Sequence, residues 1–209
     1  MRIEMGILQM ETSGRPDGEK PGGAATYLDF LKAEVVRQTD PLQLTQEQAV
    51  QVDREFYQFY HRRVCWLALR EFSRAVADAD HTLGLMDFVQ EHSSNEEWVL
   101  SHEQYRPFVL FHRTQAAALD CLEKAGAEAA IEVINQGLER MRRSFEEAEA
   151  EESFEEDDLV VQLRRLQEWL REQYDVGRTL AEQLADAVAH EQYEVAARLR
   201  DEIARREKH

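Results

Sequence analysis

Glycine and proline are scarce in this 209-residue chain, at nine and four, and six of the thirteen crowd into Gly14–Gly23. The remainder has few breakers, which predicts long helices. Cysteine occurs twice, as Cys65 and Cys121, with no Cys-x-x-Cys pair, and this excludes a zinc ribbon. Both cysteines sit among apolar neighbours in helical patterns and read as buried, reduced thiols, which fits a reducing compartment and hence the cytoplasm. No apolar run approaches the roughly 18 residues that would span a membrane. The stretch Met1 to Met10 carries Glu4 and does not read as a signal peptide. Basic residues are outnumbered, 25 Lys and Arg against 42 Asp and Glu, for a net charge of −17. Such a surface repels nucleic acids and anionic membranes, which argues against a dedicated DNA or RNA binder.

Recognisable catalytic apparatus is also missing. None of the seven histidines lies three or four residues from another, and no Glu-x-x-His occurs, so the simplest di-iron bundle is excluded. Gly-x-Ser-x-Gly, Walker and Rossmann fingerprints are absent. No catalytic, metal or cofactor-binding set is expected, and the chain reads as a non-enzyme. The nearest approach to a ligand pair is Asp78-x-x-His81, with Asp80, Asp87 and His112 as candidate neighbours. It reads as ordinary polar pairing, and a metal-dependent enzyme using Asp78, His81 and His112 is the most remote alternative.

What is present is helical periodicity. The hydrophobic fraction of 43% suffices for a packed core. Residues 1–26 form an N-terminal segment. Its Ile3, Met5, Ile7 alternation suits a strand, while Ile3, Ile7, Met10 suits a helix. It ends in a Gly/Pro-rich loop without a phosphate-loop ending. Residues 27–150 read as a helical body. A short helix spans Tyr27 to about Arg37, with Leu28, Leu31 and Val35 on one face. Thr45-x-x-Gln48 is a capping box that opens a long helix through Val52, Phe56, Phe59, Arg63 and Leu67. Another helix is expected over about Glu71–Glu91. Ser101-x-x-Gln104 reads as a second capping box, for a helix running to about Lys124. The last helix of the body spans about Ala129–Ala150. Glu146–Asp158 holds nine acids and no base, and reads as a solvated helix end or connector rather than a calcium loop. In residues 151–176, Leu159, Leu163, Leu166 and Leu170 make a narrow helical seam.

The aromatic and basic stretch Phe56–Trp66, with Arg106, His112 and Arg113 as candidates to join it, is the best place for a nucleic acid or peptide to bind. It reads better as core aromatics flanked by ion pairs.

Two segments match at an offset of 55 residues: Phe72-x-x-Ala75-Val76-x-x-Ala79-x-x-x-Leu83 and Ala127-x-x-Ala130-Ile131-x-x-Ile134-x-x-x-Leu138. Each follows a helix and a short turn. The pattern resembles a tetratricopeptide repeat, which implies stacked helical hairpins. Arg63 stands where that family expects a small residue, although Ala118 fits in the second unit, and the spacing exceeds the family's roughly 34 residues. A four-helix bundle remains the alternative. The expected class is all-α, antiparallel helical hairpins followed by a C-terminal one.

That last hairpin, in residues 177–209, carries the most specific pattern. Leu180, Leu184, Ala187 and Val188 face one way in a first helix. His190–Gln192 form a tight polar turn, and Tyr193, Ala196, Ala197, Leu199, Arg200 and Ile203 line a second helix. A ring at the turn is positioned to staple the two ends, and paired alanines permit close contact. Two helices of about 13 residues are marginal alone, so the hairpin seeks another surface. The run Tyr193-Glu194-x-Ala196-Ala197-x-Leu199-Arg200-Asp201-x-Ile203 resembles the UVR motif, named for the UvrB and UvrC excision-repair proteins. The resemblance covers about 27 residues, with Tyr where Phe is common. It implies protein–protein contact, with a second UVR-containing protein or with a second copy of the chain. Tyr193, Ala196, Ala197, Leu199 and Ile203 would supply the apolar contact, and Arg200 and Asp201 the polar contacts that set register. McsA-like adaptors and ClpC-type ATPases also carry the motif. This chain departs from the former in lacking zinc motifs, and it lacks the helicase and nuclease domains of UvrB and UvrC. The expected function is a protein–protein adaptor. The alternative is an accessory factor in nucleotide excision repair, acting through UvrB- or UvrC-like partners. The hairpin face is also a match for the chain's own Leu159–Leu170 seam.

Overall fold

The computed structural model describes residues 2–3, 6–37 and 39–206, with only the backbone described at 2, 3, 6 and 206. The strand-or-helix choice at the start resolves towards strand. β1 (Arg2–Ile3) pairs antiparallel with β2 (Gly6–Ile7), while Met5 of the alternation lies outside the described residues. These two-residue strands apart, the described chain is helical: α1 (Tyr27–Arg37), α2 (Gln46–Ala68), α3 (Phe72–His92), α4 (Glu96–Glu103), α5 (Arg106–Ala125), α6 (Ala127–Glu147), α7 (Asp158–Tyr174), α8 (Leu180–Ala189) and α9 (Tyr193–Arg206). Among the described residues no helix is long and apolar enough to cross a membrane.

The capping box at Thr45 forms, with the Thr45 hydroxyl accepting from the Gln48 N–H and the Gln48 side chain accepting from the Thr45 N–H. The reading of Ser101 as a second cap fails. Ser101 lies inside α4, where its hydroxyl donates to the Trp98 carbonyl, and Asn95 caps the helix by accepting from the Trp98 N–H. The next long helix begins five residues later at Arg106, with Pro107 in its first turn, where the missing N–H costs nothing. Four helices close through non-glycine residues in the left-handed region: Arg70, Glu149, Asp175 and Glu191.

α2 packs on α3, α3 on α5, α5 on α6 and α6 on α7, so the helices lie side by side in chain order, as antiparallel hairpins. The 55-residue correspondence extends into the burial pattern. Ala75 and Ala130 are both fully enclosed, as are Met86 and Met141, while Leu83 and Leu138 are both buried. The largest core joins residues of α3, α5, α6 and α7. α5 and α6 approach so closely that a Cβ at Gly137 would collide with the Thr114 side chain. A second cluster packs α1 against α2 and α3.

The acidic run, which reads as solvated in the sequence, and the Gly/Pro-rich loop are both anchored. Within the acidic run, Phe154 is 1% exposed. Its ring meets Phe145 edge-on at 5.5 Å, and the Arg142 guanidinium lies 4.3 Å from its centroid. In the Gly/Pro-rich loop, Arg15 is buried, and its Nε lies 3.5 Å from a Glu55 carboxylate oxygen. Glu55 also accepts the Tyr27 and Leu28 N–H groups of α1, at 2.6 and 3.0 Å, so one buried carboxylate on α2 fastens both the loop and the helix.

Candidate docking hairpin and the polar interior of the body

α8 starts with a capping box of its own. The Thr179 hydroxyl accepts from the Glu182 N–H, and the Glu182 carboxylate accepts from the Thr179 N–H at 2.8 Å. The same carboxylate accepts from Asn135 Nδ2 of α6 at 3.1 Å and pairs with Arg171 of α7. Burial acts to raise the Glu182 pKa, but these hydrogen bonds and the Arg171 charge outweigh it and hold the carboxyl below its usual range. Gln167, buried on α7, donates to Asn135 and completes this polar root. Thr179-x-x-Glu182 fits a capping pattern that the reading of the sequence passed over. Its partners Asn135, Gln167 and Arg171 carry no local signal.

The turn falls at His190–Gln192. Glu191 takes the left-handed conformation, and the Gln192 N–H donates to the Ala187 carbonyl at 2.8 Å, which ends α8 and reverses the chain. Ala187 and Ala196 are buried where α8 and α9 meet. Leu199 and Ile203 are half-buried, on the same side of α9 as Ala196, and Ala197 is half-buried beside them. The expected staple at the turn is absent: Tyr193 is 68% exposed, because α9 begins at this residue with the ring turned to solvent. Arg200 and Asp201 are exposed and pair with each other at 2.9 Å.

The hairpin's most extensive contact is between its own helices. None of its residues belongs to the hydrophobic clusters of the body. The leucine seam of α7 is used elsewhere: Leu163 and Leu170 are buried in the cluster with α5 and α6, and Leu159 and Leu166 pack at its edge. The hairpin is thus tied to the body through the root around Glu182, and it leaves Ala181, Ala185, Val188 and Tyr193 exposed.

The remaining candidates are engaged inside the body. Asp78 is held by both Nε and Nη2 of Arg62, at 2.9 and 2.7 Å. His81 stacks on Phe59 with centroids 3.7 Å apart and lies 2.9 Å from Glu55. His112 faces Arg63, and burial together with that charge lowers its pKa to about 4. Asp78, His81 and His112 therefore have separate partners, and among the described residues no cluster suited to a metal ion occurs. In the stretch Phe56–Trp66, Phe59, Arg62, Arg63 and Trp66 are buried, while Tyr57 is exposed. Arg106 pairs with Asp87 and Glu103, and Arg113 with Asp80. Cys65 and Cys121 are half-buried and unbridged, and burial raises the Cys121 thiol pKa. No family model, curated protein or solved structure matches this chain.

Proposed function

We propose that the chain is a non-enzymatic protein–protein adaptor whose C-terminal hairpin docks a protein partner, either one bearing a UVR-type hairpin or a second copy of the chain. The observation that carries this reading is the hairpin's isolation. It is fastened at its root by Glu182, while Val188 and Tyr193 stay 53% and 68% exposed. A large ring beside small apolar residues on a rigid helix pair suits a helix-on-helix interface. The helices α2, α3, α5 and α6, with their repeated burial pattern, act in this reading as a tetratricopeptide-like body that carries the hairpin and offers a second binding surface.

The resemblance over Tyr193–Ile203 supplies the partner class. The exposed Tyr193, with Arg200 and Asp201, would form the contact, while Ala196 would keep the hairpin closed. The test is capture from an extract of the cells that make the protein, comparing the parent chain with Tyr193→Asp. Helix content measured by circular dichroism should be equal in the two. A partner held by the parent and lost by the variant supports the hairpin as the docking element, and its identity decides between a repair route and a chaperone-adaptor route. An identical partner set for both sinks the proposal.

A further inference from the structure

Arg63 breaks the internal repeat, and its surroundings explain what the break achieves. At the same offset the second unit has Ala118, a small residue that lets helices approach. In the first unit the Arg63 side chain reaches between α2, α3 and α5 and is only 1% exposed. Its hydrogen-bond partners are neutral. Nη1 donates to the Thr82 hydroxyl at 3.0 Å, and Nε to His112 Nδ1 at 3.4 Å. Among the described residues it forms no ion pair. Asp78 is the nearby carboxylate, and both its oxygens are taken by Arg62. A buried guanidinium without a counter-ion is costly, and burial lowers the Arg63 pKa to about 10.

Arg63 is one of the residues that line an open cleft of about 720 Å³ between α2, α4 and α5, and the Tyr60 ring beside it, 5.9 Å from the guanidinium carbon, lines the cleft as well. The short helix α4, which lengthens the repeat, supplies one wall. Phe56, Tyr57, Tyr60, Trp98, Tyr105 and Phe108 line it. Asp53 on the rim is already engaged, accepting from Trp98 Nε1 at 2.9 Å and lying 3.0 Å from His102 Nε2. The cleft therefore combines ring faces with one unpaired positive charge at depth. Its volume falls in the range of roughly 300–1,000 Å³ usual for small-molecule sites. The acidic exterior repels a polyanion much more strongly than a compact ligand with a single negative group.

We infer that this cleft binds a small aromatic carboxylate, with the ring between the aromatic walls and the carboxylate on Arg63. The inference is independent of the hairpin. The planar fork of a guanidinium suits a carboxylate, and such a charge-assisted contact separates an acid from its neutral analogue by about 10- to 100-fold.

The test is calorimetric titration of the intact protein with 2-naphthoate, 2-naphthylmethanol and 2-naphthylmethylamine. The acid should bind about 10- to 100-fold more tightly than the alcohol, and the amine most weakly. Arg63→Ala, which installs the residue of the second repeat, should bring the acid down to the affinity of the alcohol. Tyr57→Ala, at an exposed ring, should weaken the acid and the alcohol alike. If Arg63→Ala does not fold, the acid-to-alcohol ratio in the parent and the Tyr57→Ala result decide the matter. An acid that binds no better than the alcohol, or a Tyr57→Ala protein with unchanged affinity for the acid, overturns the assignment.

Discussion

Replacing Glu55 by Gln should cost about 3 kcal/mol of stability and loosen the N-terminal third of the chain first. The carboxylate is fully buried. It accepts the Tyr27 and Leu28 N–H groups at 2.6 and 3.0 Å, lies 2.9 Å from His81 Nε2, and faces Arg15 at 3.5 Å. The amide keeps one acceptor oxygen, so one backbone N–H stays satisfied and the other meets an NH₂ group. Losing a hydrogen bond to a charged acceptor costs about 1.5–3 kcal/mol. Breaking a buried ion pair costs about 3–5 kcal/mol when the surviving charge is left alone. Arg15 is not left alone, because Asp17 and Glu19 each lie 3.5 Å away, and this pulls the total towards the lower figure. In urea, with a slope near the upper end of the usual range of about 1–3 kcal/mol/M, the midpoint should fall by roughly 1 M. Hydrogen exchange should accelerate in α1 and in residues 14–26 before the rest of the body. Glu34→Gln, which breaks the exposed pair with Arg37, is the control and should change stability by less than about 0.5 kcal/mol. A Glu55→Gln protein within about 0.5 kcal/mol of the parent would refute the clasp.

Three further perturbations probe other joints. Phe154→Ala removes the buried ring from the acidic segment and should destabilise by about 3–5 kcal/mol in a urea melt, an effect a solvated connector would not give. Gly137→Ala gains roughly 0.5–1 kcal/mol of helix propensity but drives a methyl into Thr114, so a net loss of about 1–2 kcal/mol is expected, and Thr114→Ser in the same chain should recover part of it. The His112 pKa is depressed to about 4, so the folded state binds fewer protons there than the unfolded chain does. Its contribution is complete above about pH 6.5 and drains away as pH falls through 4, amounting to about 1–2 kcal/mol after discounting for partial exposure. The pH dependence of the melting temperature in that window should be shallower in His112→Gln.

The sequence carried the periodic part of the fold well. α1 begins and ends where its apolar spacing places it, and Thr45 caps α2 as its box pattern requires. The last hairpin turns at the residues expected. What escaped has physical causes. α4 has one turn of apolar signal and an asparagine cap, so a Ser-x-x-Gln pattern inside it competed successfully for the helix start. Phe154 is a single ring among nine acids, and composition hides the one residue that packs. The left-handed backbone at Arg70, Glu149, Asp175 and Glu191 carried no glycine signal, although the turn at His190–Gln192 and the helix end near Ala150 were expected; local hydrogen bonds offset the cost of a left-handed side-chain-bearing residue there. At the candidate site, the pattern Tyr193–Ile203 pointed to the hairpin but not to which side faces outwards. Ala196 is internal and Tyr193 external, and this sorting depends on how α8 crosses α9. The polar root was missed: Thr179 and Glu182 carry a local capping signal that was passed over, and Asn135 and Arg171 come from helices that only the tertiary fold brings close.

The most direct measurement is hydroxyl-radical footprinting of the protein, free and in complex with the partner it captures, read by mass spectrometry at single residues. Tyr57, Tyr105 and Tyr174, all exposed in the free chain, serve as internal standards. The account predicts that oxidation of Tyr193 and Val188 drops several-fold in the complex while Tyr174 is unchanged. Tyr193 remaining as reactive in the complex as in the free protein, with protection appearing only on the body, would contradict a docking role for the hairpin.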